Sequence, residues 1–172
     1  MNAFPLGLAS PGARLGSTLQ NRSATRLMAI VAEHLHRGHA RYTPRDVTGD
    51  GIDETWCNLF AQDVAEAMGV QLPRNTRAND LHAWLAGPAT HSAWSAWEKS
   101  DAHTGMAMAE QGCLAVAAWA NPIAARSGHI SVLVPSLGEP GVWSAQAGRV
   151  LFTRELLQRG FGAVAPDIFV HP

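Results

Sequence analysis

The amino-acid sequence predicts an α+β protein in which helices come first and a small antiparallel sheet follows. Apolar residues recur at helical spacing in the first half of the chain. Short runs rich in Val, Ile, Ala and Trp, separated by Gly, Pro and Asn, dominate the second half. Helices followed by a block of strands are typical of an α+β domain with an antiparallel sheet. The 172 residues fit one domain.

The helical pattern begins after a segment that has no periodicity. Residues 1–22 are rich in Gly, Pro, Ser and Asn and predict an extended or flexible arm, which leaves residues 23–172 as one folded domain. Ser23 is a suitable N-cap for the first helix. The predicted helices cover 24–36, 56–68 and 76–86, with a further helical turn at 105–111.

The sheet is predicted from four short apolar runs bounded by turn-forming residues. The predicted strands cover 114–119, 129–134, 142–147 and 168–171, and a helical turn is predicted at 153–158.

Charge and composition exclude several classes of protein. The formal net charge of −1 argues against a protein that coats nucleic acid. No apolar run reaches the roughly 18 residues of a membrane helix, so we expect no membrane insertion. The first residues lack the pattern of a Sec signal peptide, so we expect synthesis in the cytoplasm. Two cysteines are too few for a disulfide scaffold.

Cys57 is the candidate nucleophile because it lies at the start of a predicted helix. The N–H groups there are unpaired and the helix dipole is positive, and both stabilise a thiolate. The same N–H groups can bind an oxyanion, which makes the neighbouring Asn58 a candidate contact. Cys113 lies in an apolar run and is predicted to be a core residue.

His129 is the candidate base, since it opens a strand directly after Gly128. A histidine at that point can lie across the end of the cysteine helix and accept the thiol proton. The next strand offers two side chains to orient the imidazole, Gln146 and Ser144, which share a face by strand alternation.

These segments, in this order, resemble papain-like cysteine peptidases and amidases of the NlpC/P60 and CHAP groups, which hydrolyse bacterial cell walls. The matching pieces are Trp-Cys-Asn-Leu-Phe-Ala-Gln-Asp-Val from residue 56, Gly-His-Ile-Ser-Val from 128 and Ala-Gln-Ala-Gly from 145. Two departures stand out, since NlpC/P60 enzymes usually have Asp-Cys-Ser at the nucleophile and His or Asn as the third residue. By the same resemblance, Tyr42 is a candidate to assist the oxyanion.

The resemblance implies hydrolysis of an amide in the peptide stem or crosslink of peptidoglycan, by an antibacterial effector of a type VI secretion system or a phage lysin. It implies action in the periplasm or cell wall of a target bacterium after delivery outside the Sec route. A secretion-system carrier and a cognate immunity protein would be its partners. Two alternatives stay open, a Cys-His acyltransferase or deamidase acting on a protein or lipid, and a non-catalytic wall-binding module.

An acidic loop precedes the nucleophile, with Asp46, Asp50 and Asp53 as candidate calcium ligands. Position twelve of the loop, where an EF-hand has glutamate, is Cys57, so the loop is not an EF-hand. Turn formation before the helix is the favoured interpretation, and we expect no cofactor for the reaction.

Overall fold

The computed structural model describes residues 21–37, 39–49, 51, 53–87 and 96–172 as a mixed α and β fold around one open antiparallel sheet. The α+β class predicted from the sequence is therefore confirmed. The helices are α1 (Ala24–Arg37), α2 (His39–Tyr42), α3 (Cys57–Ala67), α4 (Ala78–Ala86), α5 (Ala102–Glu110) and α6 (Gln158–Phe161). The strands are β1 (Glu98–Ser100), β2 (Leu114–Trp119), β3 (His129–Leu133), β4 (Trp143–Ala147), β5 (Leu151–Leu156) and β6 (Asp167–His171).

The sheet has six strands in the order β1-β6-β2-β3-β4-β5, and each neighbouring pair is antiparallel. Strands β2 to β5 follow one another as a meander, and β6 returns to pair between β1 and β2. The first five residues of β2 are all buried, as expected for a central strand covered on both faces. The strand that opens with His129 is therefore held between two neighbours.

The helix that begins with Cys57 packs against β3 and β4, and α1 packs on this helix in turn. Phe60 and Val64 of α3, together with Leu27 and Ile30 of α1, are fully buried in the single core. Burial of a large apolar side chain stabilises a fold by about 1.5–3 kcal/mol. The apolar face of α3 thus fixes its N-terminus beside the start of β3.

A buried carboxylate also anchors α3. Asp63 is 2% exposed, and it accepts hydrogen bonds from Tyr42, at 2.6 Å, and from the guanidinium groups of Arg41 and Arg74. Burial raises the pKa of Asp63, but Arg74, Tyr42 and Arg41 outweigh burial and hold this pKa below its usual value. Asp63 therefore remains ionised and connects α3 to the segments on either side.

The prediction of a helical turn at residues 153–158 was wrong, because residues 151–156 form the edge strand β5. Leu151 and Phe152 precede Leu156 by five and four residues, a spacing that fits a helix as well as a strand. Pairing with β4 decides between them, since Ala147 pairs with Leu151 across a tight connection. The helical residues at this point are 158–161, and β1 and α2 were not predicted.

Within the described ranges, no helix is both long and apolar enough to cross a membrane. Residues 1–20 of the predicted N-terminal arm lie outside the described residues.

Candidate active site

The thiol of Cys57 lies at the first residue of α3 and is 3% exposed. The N-cap residue is Trp56, whose indole has a donor and no acceptor, so it cannot bind the free N–H groups of the first turn. The backbone N–H groups of Ile130 and Asn58 are directed at the Cys57 sulfur. One backbone donor from the first turn of α3 and one from the start of β3 therefore face the sulfur.

The imidazole of His129 is hydrogen-bonded to both Cys57 and Gln146. Its Nε2 atom lies 2.6 Å from Oε1 of Gln146, while the thiol of Cys57 is a second hydrogen-bond partner of the ring. Because Nε2 faces Gln146, we assign the contact with the thiol to Nδ1. The structure thus brings together the three residues that the sequence singled out from three separate segments.

Gln146 fixes which ring nitrogen of His129 carries a proton. The amide Nε2 of Gln146 donates to the carbonyl oxygen of Val150 at 3.2 Å, which orients the amide with Oε1 towards the imidazole. An amide oxygen only accepts hydrogen bonds, so Nε2 of His129 must be the donor. In neutral His129, Nδ1 is then unprotonated and ready to accept a proton from Cys57.

Cys57 and His129 shift one another's pKa in opposite directions. Burial raises the pKa of the Cys57 thiol, but the hydrogen bond and charge of His129 outweigh burial and lower this pKa overall. Burial lowers the pKa of His129, whereas Cys57 and Gln146 raise it, and the net shift is upward. Both shifts increase the share of the thiolate–imidazolium pair relative to an isolated thiol and imidazole, and the thiolate is the form of cysteine that attacks a carbonyl carbon.

Helix α6 closes the site on the side opposite Cys57, a feature that the sequence analysis did not find. The Phe161 ring packs edge-on against the imidazole, with centroids 4.8 Å apart. A Cβ atom built at Gly160 would overlap Oε1 of Gln146 and lie 3.4 Å from Nε2 of His129. Only glycine therefore leaves room for the His129–Gln146 hydrogen bond.

The loop before His129 is fixed by a side chain of α4. Asn79 accepts a hydrogen bond from the Asn121 backbone N–H and donates one to the carbonyl oxygen of Arg126, both at 2.9 Å. A Cβ atom at Gly128 would overlap the carbonyl oxygen of Trp119. The glycine that the sequence places before His129 is thus explained by close approach of the β2 backbone.

Two of the further predicted site residues use their polar groups elsewhere. The hydroxyl of Tyr42 donates to Asp63, two turns along α3 from the nucleophile, so it does not point to the reacting thiol. The Asn58 amide donates to the carbonyl oxygen of Thr76 at 2.7 Å, which leaves its backbone N–H as the group facing the sulfur.

Ser144 shares the face of the sheet that carries Gln146, as alternation predicted. Its hydroxyl is fully buried and has no hydrogen-bond partner among the described residues, as is also true of Ser131. Of the two side chains proposed to orient the imidazole, Gln146 is therefore the one that contacts it. The pairing of β4 with β5 shifts register between Ser144 and Gln146, an irregularity of the kind that redirects side chains near active sites.

In the acidic loop before α3, the carboxylates of Asp46 and Glu54 accept hydrogen bonds from backbone N–H groups of the same loop. Asp46 accepts hydrogen bonds from the N–H groups of Gly49, at 2.5 Å, and Gly51, at 2.8 Å. Glu54 accepts one from Val47 at 2.7 Å, and this bond, opposed by burial, lowers the pKa of Glu54. These contacts are those of a turn-rich loop.

The other two candidate calcium ligands in this loop are Asp50 and Asp53. Asp50 lies outside the described residues, and Asp53 is exposed. In the part of the chain that the structure describes, no group of three or more His, Cys, Asp and Glu residues is arranged to hold a metal ion.

The arrangement of thiol, imidazole and amide has the components of covalent acyl chemistry, with a nucleophile, a general base and a group that orients the base. Comparison with protein-family models and with curated proteins finds no match for this chain. The chemistry is therefore inferred from the geometry of the described residues.

Proposed function

We propose that this protein is a papain-like cysteine amidase, similar to NlpC/P60 and CHAP enzymes, that hydrolyses an amide in the peptide stem or crosslink of peptidoglycan. The observation that carries the proposal is the chain of contacts from Cys57 through His129 to Gln146. The order of the three segments supports the same family.

Acylation begins with attack of the Cys57 thiolate on the carbonyl carbon of the scissile amide. Negative charge develops on the carbonyl oxygen, and the backbone N–H groups at the start of α3 stabilise it. His129, protonated on Nδ1 by the thiol, then gives this proton to the departing amine nitrogen. The C–N bond breaks and a thioester remains on Cys57.

Deacylation restores the enzyme. Neutral His129, again with its Nε2 proton held by Gln146, accepts a proton from water through Nδ1. The hydroxide attacks the thioester carbonyl, the C–S bond breaks, and a carboxylic acid leaves. The burial of Cys57 limits competing water around the ion pair, which strengthens the interaction between thiolate and imidazolium.

The biological setting of the proposal follows from the resemblance of the motifs. An enzyme of this type acts in the periplasm or wall of a target bacterium, as a type VI secretion effector or a phage lysin. An effector of this type requires a carrier for delivery and an immunity protein in the producer.

Digestion of purified muropeptides in ¹⁸O-labelled water tests the proposal, with His129→Ala as the matched inactive variant. We expect the wild type to cut one amide and to place one ¹⁸O atom in the new carboxylate. Products without label, or transfer of the acyl group to an added amine, would instead identify an acyltransferase. Intact muropeptides after prolonged incubation with folded wild type would contradict the proposed substrate.

A further inference from the structure

A groove of about 430 Å³ lies between the N-terminal end of α5 and helix α6 with the segment that follows it. Cys57, His129 and Gln146 are not among its lining residues, so the groove is distinct from the active site. We call it the α6 groove, and it is lined by residues 100–102, 142, 157–158 and 161–168.

The α6 groove lies at the same end of the sheet as His129. Asp167 of its lining pairs with Ala118, while His129 pairs with Trp119, the next residue of β2. Because neighbouring strands are about 4.8 Å apart, the backbone of Asp167 lies roughly 10 Å from that of His129. The groove is therefore close to the base without containing it.

Helix α6 contributes to both the groove and the active site. Phe161 is 7% exposed and lines the groove, and its ring also packs edge-on against the imidazole of His129. The preceding residue, Gly160, lies against Oε1 of Gln146. A ligand that packs on Phe161 is therefore separated from the base by one side chain.

The walls of the groove are apolar. Leu157 and Ile168 are buried, and Val142 is half-buried beside them. An alkyl chain placed against these side chains would leave water for an apolar surface, which favours binding.

The charge of the lining is negative. All lining residues belong to the described part of the chain, and they include Asp101 and Asp167 but no Lys, Arg or His. Asp167 is paired with Lys99 at 2.8 Å and with His82 at 2.9 Å. Asp101 instead accepts hydrogen bonds from the N–H and the hydroxyl of Thr104, both of which are uncharged. Asp101 is therefore the carboxylate that can pair with a cation on a ligand.

The segment after α6 offers backbone donors. Ala163 and Ala165 line the groove and are exposed. Within the ranges that the structure describes, their N–H groups make no hydrogen bond to backbone. Peptide carbonyl oxygens can accept from such groups, as they do when a peptide pairs with exposed backbone.

We propose that the α6 groove binds a peptide that carries an amine on an alkyl side chain, and that this peptide stabilises the contact of α6 with His129 and Gln146. Each part of the ligand has a counterpart: Asp101 for the ammonium group, the apolar walls for the alkyl chain, and the N–H groups of residues 163 and 165 for the peptide carbonyls. This binding site is additional to the proposed hydrolysis at Cys57 and does not depend on it.

Titration of ¹⁵N-labelled protein with two short peptides tests the binding site. The probes are acetyl-Ala-Lys-Ala-amide and the same peptide with its lysine side chain acetylated, which removes the charge. We expect both peptides to shift the amide signals of Ala163 and Ala165. The charged peptide should bind about three- to fivefold more tightly, which is the upper range for one exposed ion pair.

Asp101→Asn should abolish the preference for the charged peptide, while Asp80→Asn should retain it. Asparagine caps a helix about as well as aspartate, so Asp101→Asn keeps α5 and removes only the charge. Asp80 is the matched control because it is an exposed carboxylate in the first turn of α4, outside the groove lining. Equal affinity of the wild type for both peptides, or a preference that persists in Asp101→Asn, would overturn the binding site.

Alkylation of Cys57 by iodoacetamide at neutral pH tests the effect on His129. A peptide packed on Phe161 restrains α6, and α6 restrains Gln146, whose hydrogen bond favours the imidazolium form of His129. We expect saturating charged peptide to raise the alkylation rate of Cys57 about fivefold, the lower end of typical coupling between two sites.

The alkylation rate of Cys113 in the same molecules should not change. A rate at Cys57 that is unchanged or lower in the presence of bound peptide would overturn the coupling to His129. Neither measurement requires hydrolysis, so failure of the groove proposal and failure of the amidase proposal are distinguishable.

Discussion

Replacing Gly160 by alanine should damage catalysis while leaving the fold intact. The new Cβ would overlap Oε1 of Gln146 and lie 3.1 Å from its Cδ, so the amide end of Gln146 must move. That end belongs to a flexible side chain, so its displacement costs little stability. The hydrogen bond to His129, 2.6 Å long, is lost.

The size of the effect follows from the charge on the imidazole during acylation. A hydrogen bond to a charged group contributes about 1.5–3 kcal/mol, which corresponds to a decrease in kcat/KM of about 10- to 150-fold. Gln146 also raises the pKa of His129, so losing this bond should lower the pKa of His129 and raise that of Cys57. Steady-state hydrolysis of muropeptides and the pH dependence of iodoacetamide alkylation measure the two effects.

Gly148→Ala is the matched control for this variant. Its Cβ would lie 3.4 Å from Cε1 of His129, an ordinary van der Waals contact that displaces nothing. We expect its activity to stay within about threefold of the wild type, since that difference is below 1 kcal/mol. A Gly160→Ala variant with wild-type kcat/KM and an unchanged alkylation profile would refute the role assigned to Gln146.

Three further predictions concern the ion pair and its supports. The pH profile of kcat/KM should be bell-shaped, because activity requires the Cys57 thiolate and the His129 imidazolium together. The acid limb, which reports Cys57, should lie below the usual thiol pKa of 9.0, and the alkaline limb, which reports His129, should lie above the usual histidine pKa of 6.5. A single limb near 9.0 would contradict this. Asp63→Asn should lower the free energy of unfolding in urea by about 1.5–3 kcal/mol, and Glu66→Gln, at an exposed partner of Arg74, by less. The difference in free energy of unfolding between wild type and Asp63→Asn should shrink as the pH falls through the lowered pKa of Asp63, because a protonated Asp63 no longer stabilises the fold as a carboxylate. Gly128→Ala should reduce kcat at least tenfold, because its Cβ would overlap a backbone oxygen of β2 and overpacking shifts backbone; wild-type kcat would exclude that close approach.

The residues whose roles depend on local structure were the most predictable. Cys57 is recognised by its place at a helix start and His129 by its place at a strand start, and both are properties of short segments. Gln146 follows from alternation in the next strand, since neighbouring antiparallel strands put matched residues on one face. The contacts among these three residues agree with that reasoning.

Contacts between segments distant along the chain were not predictable in the same way. Phe161 and Gly160 reach His129 only because β5 pairs with β4 at the edge of the sheet and α6 follows it directly, and the run that forms β5 resembles a helix in isolation. The resemblance makes the lone tyrosine, Tyr42, a candidate to assist the oxyanion, whereas its hydroxyl donates to the buried carboxylate of Asp63. A buried ion needs several partners, and sequence spacing does not reveal which segments supply them.

The most direct test of the account is a comparison of wild type, Cys57→Ala and Cys113→Ala on the same purified muropeptides. Equal folding of the three proteins is established first by circular dichroism and urea unfolding. We predict that wild type and Cys113→Ala release the same amide-cleavage products and that Cys57→Ala releases none. Cleavage by folded Cys57→Ala at a rate near that of the wild type would contradict the assignment of Cys57 as the nucleophile.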